Sequence, residues 1–338
     1  MTETIVEVTR GGRVESAHQG IVAVVDLDGK VVASAGDPDH VVFFRSSAKP
    51  FQAVPLVESG AADAFGFTPA ELALCCASHV GTRRHQEAVA AMLAKVGLDA
   101  SALRCGTILP GDRETAAEVL GGTLPHSPLA CDCSGKHTGI LATCHHLGES
   151  PDDYRSPDHP AQRRIMGVIS EVLRLPEADI VMGIDGCSLP TFGAPMRAFA
   201  ASFATLAAPD RAAPGAGRRH AAALTRLRDA MMAHPANVSG DGRICTTLMR
   251  AGEGRIVAKG GAEGLFCFGV PERGIGVAIR ILDGSTRGHP AVVAAVLEQL
   301  DLVSPAVIEA VRRDHPGPIH NHNGMHVGDL RASLRLAS

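Results

Sequence analysis

Segments of strand character stand at both ends of this chain, and segments of helical character fill the middle. Near the start, residues 4–9 and 20–27 are apolar and β-branched, and Asp28-Gly29 is a hairpin signal before residues 30–35. Strand composition returns at 255–258, 264–270 and 275–282. The pattern predicts an α/β (α+β) fold with a mainly antiparallel sheet from both termini and a helical lobe between them in sequence.

This layout predicts one domain over residues 1–338, with the sheet from about 1–45 and 254–338 and the helical lobe from about 46–253. Apolar residues at three- and four-residue spacing predict helices at 71–77, 84–96, 114–120, 135–147, 160–173, 192–207, 216–233, 289–301 and 305–313. An apolar run at 179–184 predicts a buried strand within the helical part.

Composition excludes several classes of protein. The net charge is -4 with mixed signs, and 3% of the residues are aromatic, so there is neither a basic stripe nor a stacking platform for nucleic acid. No apolar run approaches the ~18 residues of a membrane span. The first residues lack the features of a secretory signal, and the cysteines number nine, an odd count. We therefore expect reduced thiols in a cytoplasmic protein.

The segment Arg45-Ser46-Ser47-Ala48-Lys49 lies where strand character gives way to helix. Its Ser-x-x-Lys spacing places Ser46 and Lys49 one helical turn apart on the same face. A lysine whose pKa is lowered by a sheltered or cationic site can take the proton of a serine hydroxyl and make it a nucleophile. The same spacing also arises by chance, because serine is a common helix cap.

A second lysine stands before paired glycines, in Lys259-Gly260-Gly261, at the end of a predicted strand. Glycines there let a cation and bare backbone approach a ligand, although an ordinary turn has the same composition. Ser-x-x-Lys, a helical lobe and then Lys-small-Gly on a late strand is the order found in serine β-lactamases and penicillin-binding proteins. The order predicts that fold type, but no clear Ser-Asp-Asn or Tyr-x-Asn element lies between the two motifs.

Ser78 and His79 follow a predicted helix and stand just before Gly81. A serine beside a histidine can be a second nucleophile or a substrate clamp. The pattern by itself favours a helix C-terminus, where His79 would face the last carbonyl groups.

Two segments place cysteines close to polar residues. Cys133 lies in Cys131-Asp132-Cys133, where a loop enters a helix, and Cys187 follows the predicted strand 179–184. Thiolates from two loops are ligands that zinc prefers, but the spacing matches no standard structural zinc pattern, and packed free thiols are the alternative. Cys245 is ambiguous, and we interpret the other six cysteines as packed thiols. The histidines of the tail are interpreted as a solvated loop.

Several segments together resemble the bacterial L-asparaginase II family typified by the rhizobial asparaginases. They are 44–52, 76–79, 133–139, 183–187 and 258–261, in the family's order along nearly the whole chain. The resemblance implies two Ser-Lys tandems, Ser46 with Lys49 and Ser78 with Lys259, on a fold similar to serine β-lactamases. It also implies a zinc site at Cys133, Lys136 and Cys187.

The resemblance further implies that Asp185 and Cys245 lie near the zinc site, and that Arg45, His137 and Asp185 contact the substrate. It implies a homodimer that converts L-asparagine and water to L-aspartate and ammonia. Three alternatives stay open at this point: a cytoplasmic β-lactamase-like serine esterase or peptidase without zinc, a glutaminase, and a zinc-stabilised amino-acid sensor without activity.

Overall fold

The computed structural model describes residues 2–337. Its strands are β1 Glu3–Arg10, β2 Arg13–Val25, β3 Val31–Ala35, β4 Val41–Phe43, β5 Val181–Ile184, β6 Pro190–Pro195, β7 Val257–Gly260, β8 Leu265–Val270, β9 Ile275–Ile281, β10 Pro318–His320 and β11 His326–Ala332.

Each predicted helix has a counterpart in the structure. The helices are α1 Lys49–Gln52, α2 Val54–Glu58, α3 Ala61–Ala64, α4 Pro69–Cys75, α5 Arg83–Lys95, α6 Arg113–Leu120, α7 Ser134–His146, α8 Pro160–Leu173, α9 Met196–Ala207, α10 Ala221–Ala233, α11 Pro235–Val238, α12 Ile244–Gly252, α13 His289–Gln299 and α14 Pro305–Asp314. Of these, α1, α2, α3, α11 and α12 were not predicted. Short 3₁₀ turns join several of them. Among residues 2–337, none of the helices combines the length and apolar character that crossing a bilayer requires.

The chain forms two compact units. The first unit comprises residues 1–47, 194–213 and 242–338, and the second comprises 48–193 and 214–241. The predicted division into sheet and helical lobe lies close to these bounds, except that 194–213 belongs to the first unit. Whether the chain folds as the single domain predicted over 1–338 stays a prediction.

An antiparallel sheet built from both ends of the chain forms the first unit. The strand order is β10-β11-β1-β2-β9-β8-β7, and β3 also pairs with β2. Val6 lies opposite Ala332, and Val22 lies opposite Ile279, so early strands pair directly with late ones. The mixed α/β class and the mainly antiparallel sheet from both termini are confirmed.

Helices cover both faces of this sheet. Gly276 faces α9 so closely that a Cβ atom there would lie 1.9 Å from the Ala200 carbonyl oxygen. Ile281 is an odd number of residues away, so it lies on the opposite face. There it packs near Gly288, the residue before α13. α9 and α13 therefore sandwich the strands, and their apolar faces complete the core of this unit.

The second unit is helical and is centred on α7, whose residues from Ser134 to Cys144 are all buried. It packs against α2, α3, α4, α5 and α8. Two glycines allow α7 and α4 to approach closely, since a Cβ at Gly135 would lie 2.3 Å from the Leu74 carbonyl oxygen and one at Gly139 would lie 3.0 Å from the Cys75 sulfur. This packing fixes the position of the polar side chains at the start of α7.

Several predictions about local structure are wrong. Residues 216–220, predicted as the start of a helix, form a turn and a short 3₁₀ helix. The histidines of the tail, interpreted as a solvated loop, lie in and between strands β10 and β11. Residues 192–195, predicted as helix, lie in strand β6, which pairs with β5 as an antiparallel hairpin. The run at 179–184 does form a strand, β5, but Val181, Met182 and Ile184 are 51%, 49% and 65% exposed. Apolar composition gave no sign that only one edge of this strand would be paired.

Candidate active site and metal centre

Lys49 begins helix α1 and is fully buried. Its Nζ atom donates hydrogen bonds to the Ala77 carbonyl at 2.6 Å and to the Ser78 hydroxyl at 2.8 Å. The Asp132 carboxylate lies 3.7 Å away. The hydroxyl of Ser78 is thus held by a buried cation at the end of the segment after α4, and Ser78 itself is half-buried.

The charge on Lys49 is set by its neighbours. Burial lowers the pKa of Lys49, but the thiolate of Cys133 and the Asp132 carboxylate outweigh burial, so the pKa is raised above its usual value. Lys49 is therefore an ammonium ion as long as these anions face it. In that state it polarises Ser78 and stabilises an alkoxide, but it cannot accept the proton of the hydroxyl.

Three cysteine sulfurs and a second lysine lie next to this pair. The pKa of Cys133 is held well below its usual range by hydrogen bonds from the thiols of Cys131 and Cys187, and then by the charges of Lys49 and Lys136. The pKa of Cys187 is raised, mainly because its thiol donates to Cys133. Cys133 is therefore the thiolate of the cluster.

Lys136 lies one turn along α7 from Cys133 and is also buried. Its Nζ atom is 3.3 Å from the Cys187 sulfur. Burial lowers the pKa of Lys136, but Cys133 and Cys187 raise it by more than burial lowers it. The net shift is upward, so this side chain is also protonated beside the thiols. The predicted ligand set Cys133, Lys136 and Cys187 is thus brought together within one unit.

These donors fit a zinc ion by their chemistry. Two cysteine sulfurs and one amine nitrogen, clustered and buried, are a soft set of three that leaves a fourth position free. Cys131, Asp132 and Cys133 also place their ligand atoms within 4.8 Å of one another. Cys187 and Lys136 must both lose a proton before they can bind a metal, whereas Cys133 is already ionised. The cluster can therefore hold a metal cation, and zinc stays a prediction.

The turn between β5 and β6 carries Asp185 and Cys187. The Asp185 carboxylate accepts a hydrogen bond from the Gly186 N–H at 2.8 Å, and its backbone N–H bonds to the Leu189 carbonyl at 2.8 Å. Asp185 is half-buried and acts electrostatically on Lys136. A short, well-bonded turn thus presents an acidic side chain beside the thiol cluster.

His79 follows Ser78 directly in the sequence but does not act as a base for its hydroxyl. Its Nδ1 accepts the Gly81 N–H at 3.1 Å, so its proton is on Nε2, which donates to the Ser134 hydroxyl at 2.9 Å. Burial lowers the pKa of His79 well below its usual range, and it stays neutral. Both nitrogens are occupied, so His79 fastens the start of α7 and is not a free base.

His137 lies on α7, fully buried, with its ring edge against Tyr154. Its Nδ1 atom is 2.6 Å from the Tyr154 hydroxyl. Burial, and then the charge of Lys136, lowers the pKa of His137 well below its usual range, so the ring is neutral. The Nε2 atom is buried without a hydrogen-bond partner among residues 2–337.

The first unit holds the other predicted site residues. Lys259 is buried on β7, and its Nζ donates to the Gly260 carbonyl at 2.7 Å. The Ser47 hydroxyl donates to the Lys259 carbonyl at 2.9 Å, and the Gly260 N–H donates to the Cys245 sulfur at 3.2 Å. Lys259 and Cys245 therefore lie close together at one end of the sheet.

Arg45 and Ser46 lie in a 3₁₀ turn, Arg45–Ala48, and both are half-buried. Arg45 has a left-handed backbone, with φ of 48°. Its guanidinium lies 4.0 Å from the Glu263 carboxylate in the same unit. The pairing of Ser46 with Lys49, and of Ser78 with Lys259, stays a prediction.

Comparison with known protein families identifies the family of this chain. The model of the family described as L-asparaginase II matches residues 6–332. The chain belongs to the L-asparaginase II family. Membership in this family supports hydrolysis of an amide, with a substrate of asparagine type. No protein with a curated description matches the sequence.

Several solved structures resemble the asparaginase II chain weakly. Mglu in its native form is 14% identical, covering 87% of this chain and 63% of its own, with a TM-score of 0.43. Mglu in 4.3 M NaCl is 17% identical, covering 84% and 61%, with a TM-score of 0.46. A β-lactamase from Mycobacterium bovis is 15% identical, covering 83% and 94%, with a TM-score of 0.40. The chain spans about three fifths of the length of Mglu.

Sequence reasoning missed three residues of the site. Cys131 was grouped with packed thiols, yet its thiol bonds to Cys133. Asp132 faces Lys49, and Tyr154 faces His137. The Cys-Asp-Cys spacing pointed to the first two, since alternate residues of a loop can face one pocket. No local signal pointed to Tyr154, because its contact with His137 depends on tertiary packing.

Proposed function

We propose that this protein hydrolyses the side-chain amide of L-asparagine to L-aspartate and ammonia. The observation that carries the proposal is the 2.8 Å hydrogen bond between the buried Lys49 ammonium and the Ser78 hydroxyl, in a chain of the L-asparaginase II family. A lysine that holds a serine hydroxyl is the pair that nucleophilic amide hydrolysis needs. A homodimer and a cytoplasmic location stay predictions.

In the proposed reaction, a serine hydroxyl passes its proton to a neutral Lys49 amine while its oxygen bonds to the amide carbon. The C–N bond then breaks as the amide nitrogen takes up a proton, and ammonia leaves. Water adds to the resulting ester, the bond between carbon and the serine oxygen breaks, and L-aspartate is released. Ser78 is favoured by its contact with Lys49, and Ser46 is the other candidate, from the Ser-x-x-Lys motif.

The metal ligands we propose are Cys133, Lys136 and Cys187. A zinc ion bound there would supply positive charge beside the Cys133 thiolate, one of the anions that raise the pKa of Lys49. That charge would lower the pKa of Lys49 toward the neutral amine that a base requires. We propose Arg45, His137 and Asp185 as contacts to the charged ends of the substrate, and Lys259 as the partner of Ser78 in moving protons.

The test is ammonia release from L-asparagine and from L-glutamine, with zinc content measured on the same sample. We expect turnover of L-asparagine, loss of about 10³-fold or more in the variant that lacks the nucleophile, and smaller losses in the other serine variant. Ser46→Ala and Ser78→Ala are compared directly. Ser170→Ala, which removes a half-buried hydroxyl bonded to the Leu175 carbonyl in the same unit, is the matched control.

Three outcomes count against the proposal. Hydrolysis of nitrocefin or p-nitrophenyl esters without ammonia release would favour a β-lactamase-like serine esterase or peptidase. Binding of L-asparagine by the zinc-loaded protein without turnover would favour a sensor. A preference for L-glutamine over L-asparagine would make it a glutaminase.

A further inference from the structure

Three of the four buried histidines in the described part of the second unit, His79, His85 and His137, allow a direct comparison. In His79 and in His85, Nδ1 accepts from the backbone N–H of Gly81 or Thr82, and Nε2–H donates to a protein acceptor. His137 resembles them in burial, but its Nε2 has no hydrogen-bond partner among the described residues. It is thus the one of the three that keeps a buried polar atom for something other than the protein.

The proton on His137 can be placed by counting hydrogen bonds at Tyr154. The Tyr154 hydroxyl oxygen accepts the Arg104 backbone N–H at 3.0 Å. If the hydroxyl donates to His137 Nδ1, only the Nε2–H is left without a partner. If Nδ1 carried the proton, both the hydroxyl proton and the Nε2 lone pair would lack partners. Because each buried polar atom without a partner is costly, the first arrangement is favoured.

The surroundings of His137 indicate what its Nε2–H binds. Arg155 is a permanent cation whose charge acts on the ring. The Nε atom of Arg155 is likewise buried without a hydrogen-bond partner in the described part of the chain. Two buried N–H donors, one of them on a cation, suit an anionic acceptor, and a carboxylate oxygen is the anionic acceptor that an amino acid offers.

We propose that Tyr154 is a positioning residue, whose hydroxyl fixes His137 as the Nε2–H form so that this N–H binds a carboxylate oxygen of the substrate. The identity of the substrate rests on the proposed function, but the proton position does not. Tyr154 is the single tyrosine of the chain and is 1% exposed, so its hydroxyl has no role toward solvent. Phenylalanine would keep the ring and remove the donor.

The test is the ¹⁵N NMR spectrum of protein labelled at histidine, with His137 assigned by the loss of its signals in His137→Gln. In the unmodified protein we expect a protonated Nε2 and a bare Nδ1, and we expect L-aspartate to shift the Nε2 signal. In Tyr154→Phe we expect a mixture of the two tautomers. The KM for L-asparagine should rise about tenfold there, with a smaller change in kcat, because one hydrogen bond to a charged group is weakened.

The matched control is Gln162→Met. The Gln162 side chain donates to the Tyr154 backbone carbonyl at 2.8 Å, so this change loosens the same segment and leaves the hydroxyl in place. Its His137 signals should match those of the unmodified protein.

Other results overturn the inference. A proton on Nδ1 in the unmodified protein, or signals unchanged by Tyr154→Phe, would refute the positioning role. A shift of Nε2 by glycinamide equal to that by L-aspartate would refute the carboxylate contact. If the proton lies on Nε2 and L-aspartate shifts it while no ammonia is released from L-asparagine, the inference stands and the proposed function fails.

Discussion

The Nζ atom of Lys136 lies 3.3 Å from the sulfur of Cys187, and both side chains are buried. Without a metal, this contact is a hydrogen bond from an ammonium to a thiol whose proton points to Cys133. Both groups must give up a proton before either can coordinate a cation. Metal uptake at this cluster is therefore coupled to proton release.

The first prediction concerns that coupling. Zinc binding at neutral pH should release about two protons, from Cys187 and Lys136, and none from Cys133. Because protons compete with the metal, the affinity for zinc should fall as the pH is lowered. Calorimetric titration in buffers of different ionisation enthalpy measures the number released, and Cys187→Ala should lower both the number and the affinity.

Cys75→Ala is the control for this experiment, because Cys75 is a buried free thiol of the same unit and belongs to neither group of potential metal ligands among the described residues. It should bind zinc like the unmodified protein. An affinity for zinc that does not depend on pH, or that is unchanged in Cys187→Ala, would contradict the assignment of ligands.

The second prediction concerns Lys49. Lys49→Met keeps the length and apolar stem of the side chain but removes the cation that holds Ser78. The rate of ammonia release from L-asparagine should fall by about 10²–10⁴-fold. Lys95→Met, which removes the lysine that pairs with Glu71 at 2.6 Å on the same unit, should keep nearly full activity. Near-normal turnover in Lys49→Met would exclude Lys49 from the chemistry.

The third prediction concerns stability in acid. His289 is buried, its Nε2–H donates to the Gly264 carbonyl at 2.9 Å, and burial lowers its pKa to about 4. The folded state binds the proton more weakly than the unfolded state, whose histidine has a pKa near 6.5. Its contribution to stability is therefore complete above pH 6.5 and is lost as the pH falls toward 4. The loss is about 3 kcal/mol.

Urea unfolding between pH 4 and 7 measures this loss. His289→Gln keeps a side-chain N–H for the Gly264 carbonyl but cannot take up a proton, so its unfolding free energy should fall less with acid. His126→Gln, at an exposed position, should behave like the unmodified protein. Equal pH dependence in His289→Gln and the unmodified protein would show that another group causes the loss.

The fourth prediction compares two glycines. Gly276→Ala would place a Cβ 1.9 Å from the Ala200 carbonyl oxygen, so α9 must move away from the sheet. We expect a loss of about 3 kcal/mol or more in the free energy of unfolding. Gly167→Ala lies inside helix α8 with open space around the Cβ, and should stabilise the protein by about 0.5–1 kcal/mol. Thermal or urea unfolding of both variants decides, and equal effects would contradict the packing described.

The sequence predicted most of the fold because its periodicities are strong. Residues 68–71 read Thr-Pro-Ala-Glu, a helix-start signal, and a capping box is formed there: the Glu71 N–H donates to the Thr68 hydroxyl, and the Thr68 N–H donates to the Glu71 carboxylate. The helix predicted over residues 192–195 was wrong because a short apolar segment before a helix has the same composition as the helix itself. The predicted burial of β5 was wrong because the burial of a strand depends on which elements cover it, and no residue of the strand encodes that.

The site was predicted less completely, since its contacts join distant segments. Motif spacing predicts Ser46 as the partner of Lys49, but nothing in the spacing predicts the hydrogen bond from the Lys49 ammonium to Ser78, 29 positions away. The family resemblance, not the spacing, drew attention to Ser78 and to Lys136 as a ligand. Charge states could not be read from sequence either, because the pKa of Lys49 depends on anions that only the fold assembles.

Because the first strands pair with late ones, the sheet can be completed only after most of the chain has been synthesised. When β1 and β2 leave the ribosome, β11 and β9, to which they pair, do not yet exist. The helical segment 48–193 is complete much earlier and has mainly local partners. A nascent chain must therefore keep apolar β2, with Ile21 to Val25, out of contact with other chains until β9, more than 200 residues later, has been added. For this protein, protection during translation is a requirement that follows from topology alone.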